Sequence, residues 1–400
     1  HFMLTFFRFS LYLQICMKAK VNRELFFYLN AFLGDIAVGL NIICVPLLAI
    51  KLGATPFVLG FTGFLASLTY LLFSPLFGSL SERKDPLFFT LIGSFLFALS
   101  SLTLVFFHTI PLIFLVMGIV GFATSMLWSP LEVWIARTTR NLKIAIGYYN
   151  LSWCLGLSLG TLLSGYLFQK NWRYPLIALT ITCLLLLIFL LLCPRVPPSV
   201  KAKESSKEKD ERNPFVVVGW TANFIGWFTL GVLRYLFPRL AVDLHISSFT
   251  LGSLNFLMSI STAISSFGLG YLAWLHRRLS FLIAIQLLMG AGFIIIYLTS
   301  SLPFFYLSFF ILGISIGVAY FFSLFHSLEG EEGKGQRSGI HESIVGAGGL
   351  LGPLTGGIVA QHFNIRTPFL LCTLVLFIGI LFEIMYYLHG RRNKSKIWGV

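Results

Sequence analysis

The chain has 400 residues, 57% hydrophobic and only 11% charged, with a mean hydropathy of +0.86. That composition excludes a water-facing globular surface and an unfolded polar chain. The formal net charge of +14 would suggest nucleic acid in a soluble protein; in a chain this apolar it is expected from basic loops on one membrane face, with no nucleic-acid partner.

Residues 1–16, HFMLTFFRFSLYLQIC, precede Met17 and the basic run MKAKVNR, and are expected to be a gene-model extension upstream of a start at Met17. A signal peptide fits less well, because Arg8 interrupts the apolar run and no small-residue cleavage site follows. Residues 1–22 then form an N-terminal cytoplasmic segment. Twelve apolar runs come next, near 24–50, 57–80, 87–107, 110–135, 145–168, 174–194, 215–242, 248–274, 280–300, 303–328, 339–363 and 367–389. Each is long enough to cross a hydrocarbon core of about 30 Å. The one long polar insert, RVPPSVKAKESSKEKDERNP at 195–214, reads as a flexible cytoplasmic linker. It divides the chain into bundles at 23–194 and 215–390, followed by a basic cytoplasmic tail at 391–400. The fold expected is an all-α polytopic membrane protein, with twelve transmembrane helices in two six-helix pseudo-symmetric bundles.

The basic residues orient the chain. Of 29 Lys and Arg, 23 lie in the termini and the connections on their side, whereas the opposite side holds Lys51, Lys170, Arg173 and Arg366. Both termini are therefore expected in the cytoplasm, with the protein in the plasma (inner) membrane. The six cysteines form no CxxC pair and at least five lie in apolar runs, so they read as buried hydrophobes, outside any disulfide or zinc framework.

Laying the halves over each other at a shift of 192 exposes a repeat. Gly34, Gly39, Pro46, Gly60, Gly78, Pro111, Gly121, Gly147, Gly156, Gly160 and Gly165 fall on Gly226, Gly231, Pro238, Gly252, Gly270, Pro303, Gly313, Gly339, Gly348, Gly352 and Gly357. Gly and Pro set helix approach and kinks, so one bundle is expected to be built twice, as in one large class of secondary transporters.

On these residues, over about 23–390, the chain resembles the major facilitator superfamily. The turn GSLSERKDP at 78–86 is similar to the family's G-x-L-a-D-R-x-G-R-K loop: Gly78, Leu80 and Arg83 match, Glu82 stands in for the acid, and Asp85, Pro86 and Leu87 depart from the pattern. The resemblance implies a cytoplasmic latch in which Glu82 pairs with Arg137 or Arg140 near the start of the eleventh helix. Glu132, His341 and Glu342 are grouped with that cytoplasmic gate. The family's G-x-x-x-G-P-x-x-G-G motif is incomplete in GLSLGTLLSG (156–165) and complete in GGLLGPLTGG (348–357). Gly156, Gly160, Gly348, Gly352, Pro353, Gly356 and Gly357 are therefore assigned to helix packing; the antiporter label usual for this motif transfers poorly.

Enzyme chemistry finds no footing. Gly156-Leu-Ser158-Leu-Gly160 satisfies GxSxG but lies within an apolar helix, and the Gly-rich loop at 329–339 lacks the P-loop pattern. His326 and His341 lack metal-ligand spacing, and no cofactor or metal is expected.

Charged residues inside spans are functional candidates. They are Asp35, Glu132, Arg234, Arg239, Asp243, Glu342 and Glu383. Glu132 and Glu342 are expected within a turn or two of the cytoplasmic ends, and Glu383 to pair or snorkel; Asp35 sits near the midplane. At 100° per residue, Asn30, Gly34, Ala37 and Asn41 share one stripe of the first helix, and Asp35 lies on another face. The repeat favours the second face, since Arg234 maps onto the slot of Ile42, about 20° from Asp35. Asp35 and Arg234, with Asn30, Asn41, Trp227, Asn223 and Asn255, are the candidate proton-coupling or substrate-binding residues. Trp128, Trp153, Asn150 and Tyr320 could add contacts. Asp35 reads either as a coupling or solute-binding acid or as a carboxylate hydrogen-bonded between helices.

The function expected is secondary transport of a small organic solute by alternating access, by a monomer using the proton as coupling ion, with efflux favoured. The alternative is a proton-linked uptake carrier or facilitator for a sugar or anionic metabolite bound by Arg234. From a different class, a polytopic membrane enzyme or a transporter-fold sensor remains open.

Overall fold

A computed structural model describes residues 23–138, 142–193, 214–272, 274–275, 277–328 and 334–398. Twelve α-helices carry nearly all of them: α1 (Arg23–Lys51), α2 (Pro56–Arg83), α3 (Pro86–Phe106), α4 (Ile110–Thr138), α5 (Leu142–Lys170), α6 (Arg173–Leu192), α7 (Pro214–Asp243), α8 (Ser248–Tyr271), α9 (Leu279–Leu298), α10 (Leu302–Leu328), α11 (Lys334–His362) and α12 (Thr367–Trp398). No strand occurs among the described residues. The expected spans and these helices coincide to within a few residues. The largest departure is α12, which continues to Trp398 through most of the expected tail.

Eleven of the twelve helices are long and apolar enough to cross a membrane; α8 is the exception. Its six serines, two threonines and Asn255 lower its hydropathy. Many of those hydroxyls are satisfied within the helix: Ser261 donates to the Leu257 carbonyl, Thr262 to Met258 and Ser266 to Thr262. A polar helix that satisfies its own groups this way tolerates an apolar surrounding. Large side chains such as Leu185 and Ile188 on α6 and Phe377, Ile378 and Leu381 on α12 are exposed, as a lipid-facing belt requires.

Local chemistry ends the helices in repeating fashion. Thr55 caps α2 by accepting from the Val58 N–H, and Ser247, 192 residues on, caps α8 by accepting from Thr250. The chain leaves α1 through Gly53 at φ +85 and leaves α7 through His245, its equivalent, at φ +57. At both exits the next N–H reaches back to a carbonyl in the last turn, Ala54 to Ala49 and Ile246 to Ala241. Asp85 and Pro86, which depart from the family loop, act as the N-cap and first residue of α3, and Asp85 Oδ1 accepts from the Leu87 N–H at 3.1 Å.

The repeat also extends to contacts. Within the first half, a Cβ at Gly156 would meet the Phe32 carbonyl and one at Gly160 the Ile36 carbonyl; within the second, Gly348 meets Phe224 and Gly352 meets Phe228, each partner shifted by 192. Between the halves, α2 lies along α11 and α5 along α8. There Gly60 lies against the Pro353 carbonyl and Gly357, while Gly252 lies against the Thr161 carbonyl and Gly165. These backbone-to-backbone crossings sit at the end remote from the chain termini, near the start of α2 and α8 and the finish of α5 and α11. They give the packing glycines the role that their spacing implies.

The basic residues at that remote end are engaged. Arg366 Nη1 donates to the carbonyls of Ile296 (3.0 Å), Tyr297 (3.1 Å) and Thr299 at the finish of α9, and Arg173 Nε donates to Val105 near the finish of α3 at 3.3 Å. Lys51 and Arg173 both lie over the Trp172 ring. Cys44, Cys154, Cys183, Cys193 and Cys372 are buried free thiols, as their apolar settings imply.

Candidate functional site

A cavity of about 210 Å³ lies between the halves, walled by α1, α2, α4 and α5 on one side and α7, α10 and α11 on the other. From α1 it takes Asp35, Val38, Asn41 and Ile42, the face that the Arg234 equivalence selects. Gly34 faces α4, where the Trp128 ring occupies the space a side chain would need. Asn30 is fully buried elsewhere: its Nδ2 donates to the Phe26 carbonyl at 2.7 Å and toward Cys193 Sγ at 3.5 Å. The stripe that groups Asn30 with Asn41 is therefore split, because Asn30 turns toward its own backbone and α6.

Asp35 is 7% exposed and opens on the cavity. It makes no hydrogen bond, and no ion pair within 4.0 Å, with a described residue. The geometry does not contain the interhelical hydrogen bond that would mark Asp35 as purely structural. Arg234 lines the same cavity from α7, its guanidinium 5.5 Å from the centre of the Trp227 ring, and it too lacks a hydrogen-bonded partner among the described residues. The direct Asp35–Arg234 salt bridge does not form; the two opposite charges face one void. Trp227 Nε1 is a buried donor with no partner among the described residues.

The third charge on the wall is Glu342, 7% exposed, with Oε2 accepting from the Tyr70 hydroxyl at 2.7 Å. That bond ties α2 of one half to α11 of the other. Glu342 lies about two turns from the start of α11, as the sequence implies, and also lines the cavity. His341 is fully buried behind it, with Nδ1 2.7 Å from Ser323 Oγ and 3.5 Å from Asn223 Nδ2, its ring edge-on to Tyr320. His341 Nε2 lies 3.8 Å from Glu342 Oε1, beyond hydrogen-bond range. His341 and Asn223 therefore support the cavity wall from behind, and Asn223 does not face the solute space.

Asn255 is likewise withdrawn, donating to the Leu251 carbonyl of its own helix at 2.9 Å. Asn41 does line the cavity, with Nδ2 3.9 Å from Met117 Sδ. Trp128, Trp153, Trp227 and Tyr320 line it too, joined by Tyr70, Tyr149 and Tyr235, which the sequence reading passed over. For Tyr70 and Tyr235 a signal was present: both fall well inside their spans, away from the interfacial belt where tyrosine is usually enriched.

Glu82 is exposed and forms no ion pair or hydrogen bond with a described residue; Arg83 is also exposed, and Gly78 lies near Ser129 of α4. Arg140 and the side chain of Arg137 lie outside the described residues. Glu132 is half-buried and engaged. At the finish of α7, Arg239 Nε pairs with Asp243 Oδ1 at 3.0 Å. Glu383 lies outside the cavity with both carboxylate oxygens 2.9 Å from Gln286 Nε2 of α9, so it pairs and does not snorkel.

The comparisons with known proteins agree with this architecture. The sequence profile described as Major Facilitator Superfamily matches residues 27–327 and 219–399. An uncharacterized MFS-type transporter of Methanocaldococcus jannaschii is 24% identical over 200 residues, covering 47% of this chain and 50% of that protein, so the match spans half of the relative's length. Among solved structures, a bacterial homologue of the human lysosomal transporter Spinster, inward-facing and occupied, superposes with TM-score 0.74 at 14% identity over 91% of this chain and 96% of that one. A mutant of the nucleoside transporter NupG gives 0.72 at 14% identity over 92% and 100%, and the human organic anion transporter MFSD10 gives 0.68 at 17% identity over 91% and 100%. Such low identities speak for the fold alone. With both halves matched by the family profile and 91–92% of the chain superposing on solved transporter structures, this multi-pass membrane protein belongs to the Major Facilitator Superfamily, a family of membrane transporters.

Proposed function

We propose that the protein is a proton-coupled secondary transporter of a small organic solute, working by alternating access as the halves 23–194 and 215–390 rock about the central cavity. The observation that carries this reading is Asp35: a buried carboxylate on the cavity wall with no hydrogen-bonding partner among the described residues. An acid so placed can exchange a proton with the cavity and bind solute in turn, which is what coupling needs. Efflux is the direction favoured, with both termini and the 195–214 linker on the cytoplasmic face of the plasma (inner) membrane and the monomer as the working unit. On that face, Glu82 with Arg137 or Arg140 would act as the latch.

A second reading, uptake of an anionic metabolite, is favoured by the unbonded guanidinium of Arg234 in the same cavity. The experiment is flux into proteoliposomes under an imposed pH gradient, comparing wild type with Asp35→Asn and Arg234→Gln across a solute panel. Coupled transport predicts that Asp35→Asn abolishes gradient-driven accumulation and retains solute exchange. Accumulation unchanged in that variant would remove Asp35 from the coupling role. Loss of anion flux in Arg234→Gln alone would favour the second reading.

A further inference from the structure

The cavity wall carries two ionisable groups of opposite sign, Asp35 on the first half and Arg234 on the second. Neither has a hydrogen-bonded partner among the described residues, unlike Glu342, whose carboxylate accepts from Tyr70. Through the 192-residue repeat Arg234 is equivalent to position 42, seven residues from Asp35, an axial offset of about 10 Å at 1.5 Å per residue. The walls between are aromatic: Trp128 and Trp153 from one half, Trp227 and Tyr235 from the other. Such faces accept flat apolar bodies and stabilise cations, while a guanidinium with free N–H groups recognises carboxylates in two-point fashion.

A solute with one charge leaves the other buried charge unmet and faces a like charge in the same small space. A solute with both charges on one carbon spans far less than the backbone offset between the two partners. We infer that the solute class is amphoteric and elongated: a flat aromatic body with a cationic nitrogen at one end, held by Asp35, and a carboxylate at the other, held by Arg234. This inference rests on the proposal that the cavity is the transport site, and it adds the chemistry of the cargo.

The test is equilibrium binding to purified full-length protein in nanodiscs, at one fixed pH and with no gradient. Four probes share a biphenyl rod whose ends are separated by about the same offset: 4′-(aminomethyl)biphenyl-4-carboxylic acid, the amine-only analogue, the acid-only analogue and biphenyl itself. Each charge-assisted contact is worth about ten- to hundredfold, so the amphoteric rod should bind at least tenfold tighter than either singly charged rod. Asp35→Asn should erase its advantage over the acid-only rod, and Arg234→Gln its advantage over the amine-only rod. Singly charged rods binding as tightly as the amphoteric one would overturn the inference, as would failure of the amphoteric rod to bind up to its solubility limit. If either variant fails to fold, the ranking of the four rods on wild type decides. Because no gradient is applied, the probe ranking can fail while pH-driven transport survives, and proton coupling can fail while the ranking holds.

Discussion

Replacing Gly60 with alanine should push the transporter toward the conformation open at the end remote from its termini. A Cβ there would stand 2.9 Å from Gly357 Cα, closer than real Cβ contacts come, and nearer still to the Pro353 carbonyl oxygen. Both obstacles are backbone, so relief requires α2 and α11 to separate. Overpacking of this kind costs about 1–3 kcal/mol. The cost falls only on the conformation in which the halves touch here, so the opening equilibrium should shift about 5- to 150-fold. Alkylation rates of single cysteines on the facing surfaces of α2 and α11 measure that shift. Gly156→Ala is the control: its Cβ would meet the Phe32 carbonyl inside one half, a contact that rigid-body rocking leaves intact. It should lower the melting temperature and leave the alkylation ratio alone. If Gly60→Ala folds and leaves alkylation unchanged, or Gly156→Ala changes it equally, the rocking halves are not closed by these crossings.

Three other substitutions test the packing described above. Tyr70→Phe removes the hydroxyl bonded to Glu342 and should lower stability by about 1.5–3 kcal/mol, the worth of a hydrogen bond to a charged group, read as a fall in melting temperature; no change would mean the bond is idle. Gln286→Leu strips Glu383 of its partner and should destabilise by about 1–3 kcal/mol without altering solute binding, while the double variant with Glu383→Leu should recover most of the loss in a double-mutant cycle. His245→Gly relieves a non-glycine residue held at φ +57 and should raise stability by about 0.5–1 kcal/mol; a lower melting temperature would contradict the strain at the α7 exit.

The helices and their twofold arrangement are legible in the sequence because both depend on local facts: apolar length sets a span, and Gly or Pro sets where backbones meet or bend. The contact of Gly160 with the Ile36 carbonyl and of Gly352 with Phe228 is the spatial counterpart of one constant offset. The choice between the faces of α1 is legible for the same reason, since Arg234 supplies a reference direction from the other half. Asn30, Asn223 and Asn255 fail as cavity residues because helical angle gives a direction and not the neighbour that lies there. The amide groups of Asn30 and Asn255 donate to the carbonyl four residues back, and that of Asn223 lies against His341. The depth of Glu342 is legible, but its place on the cavity wall is not, because apolar runs mark the span and not how far a cavity extends along it. Tyr70, Tyr149 and Tyr235 depend on helix rotations that no single helix specifies.

The two crossings between the halves follow the same path, yet they differ in stiffness. Position 161 of α5 is threonine, with a full hydrogen-bonded ladder through it; its equivalent in α11 is Pro353, which has no N–H to return to the Gly349 carbonyl four residues earlier. Gly349 lies on the cavity wall, seven residues beyond Glu342. Of two otherwise equivalent crossings, one is therefore made with an unbroken helix and the other with a helix that lacks one ladder bond beside the cavity. The point at which the second half can bend is thereby set against the cavity wall, and α5, its counterpart in the first half, carries no proline.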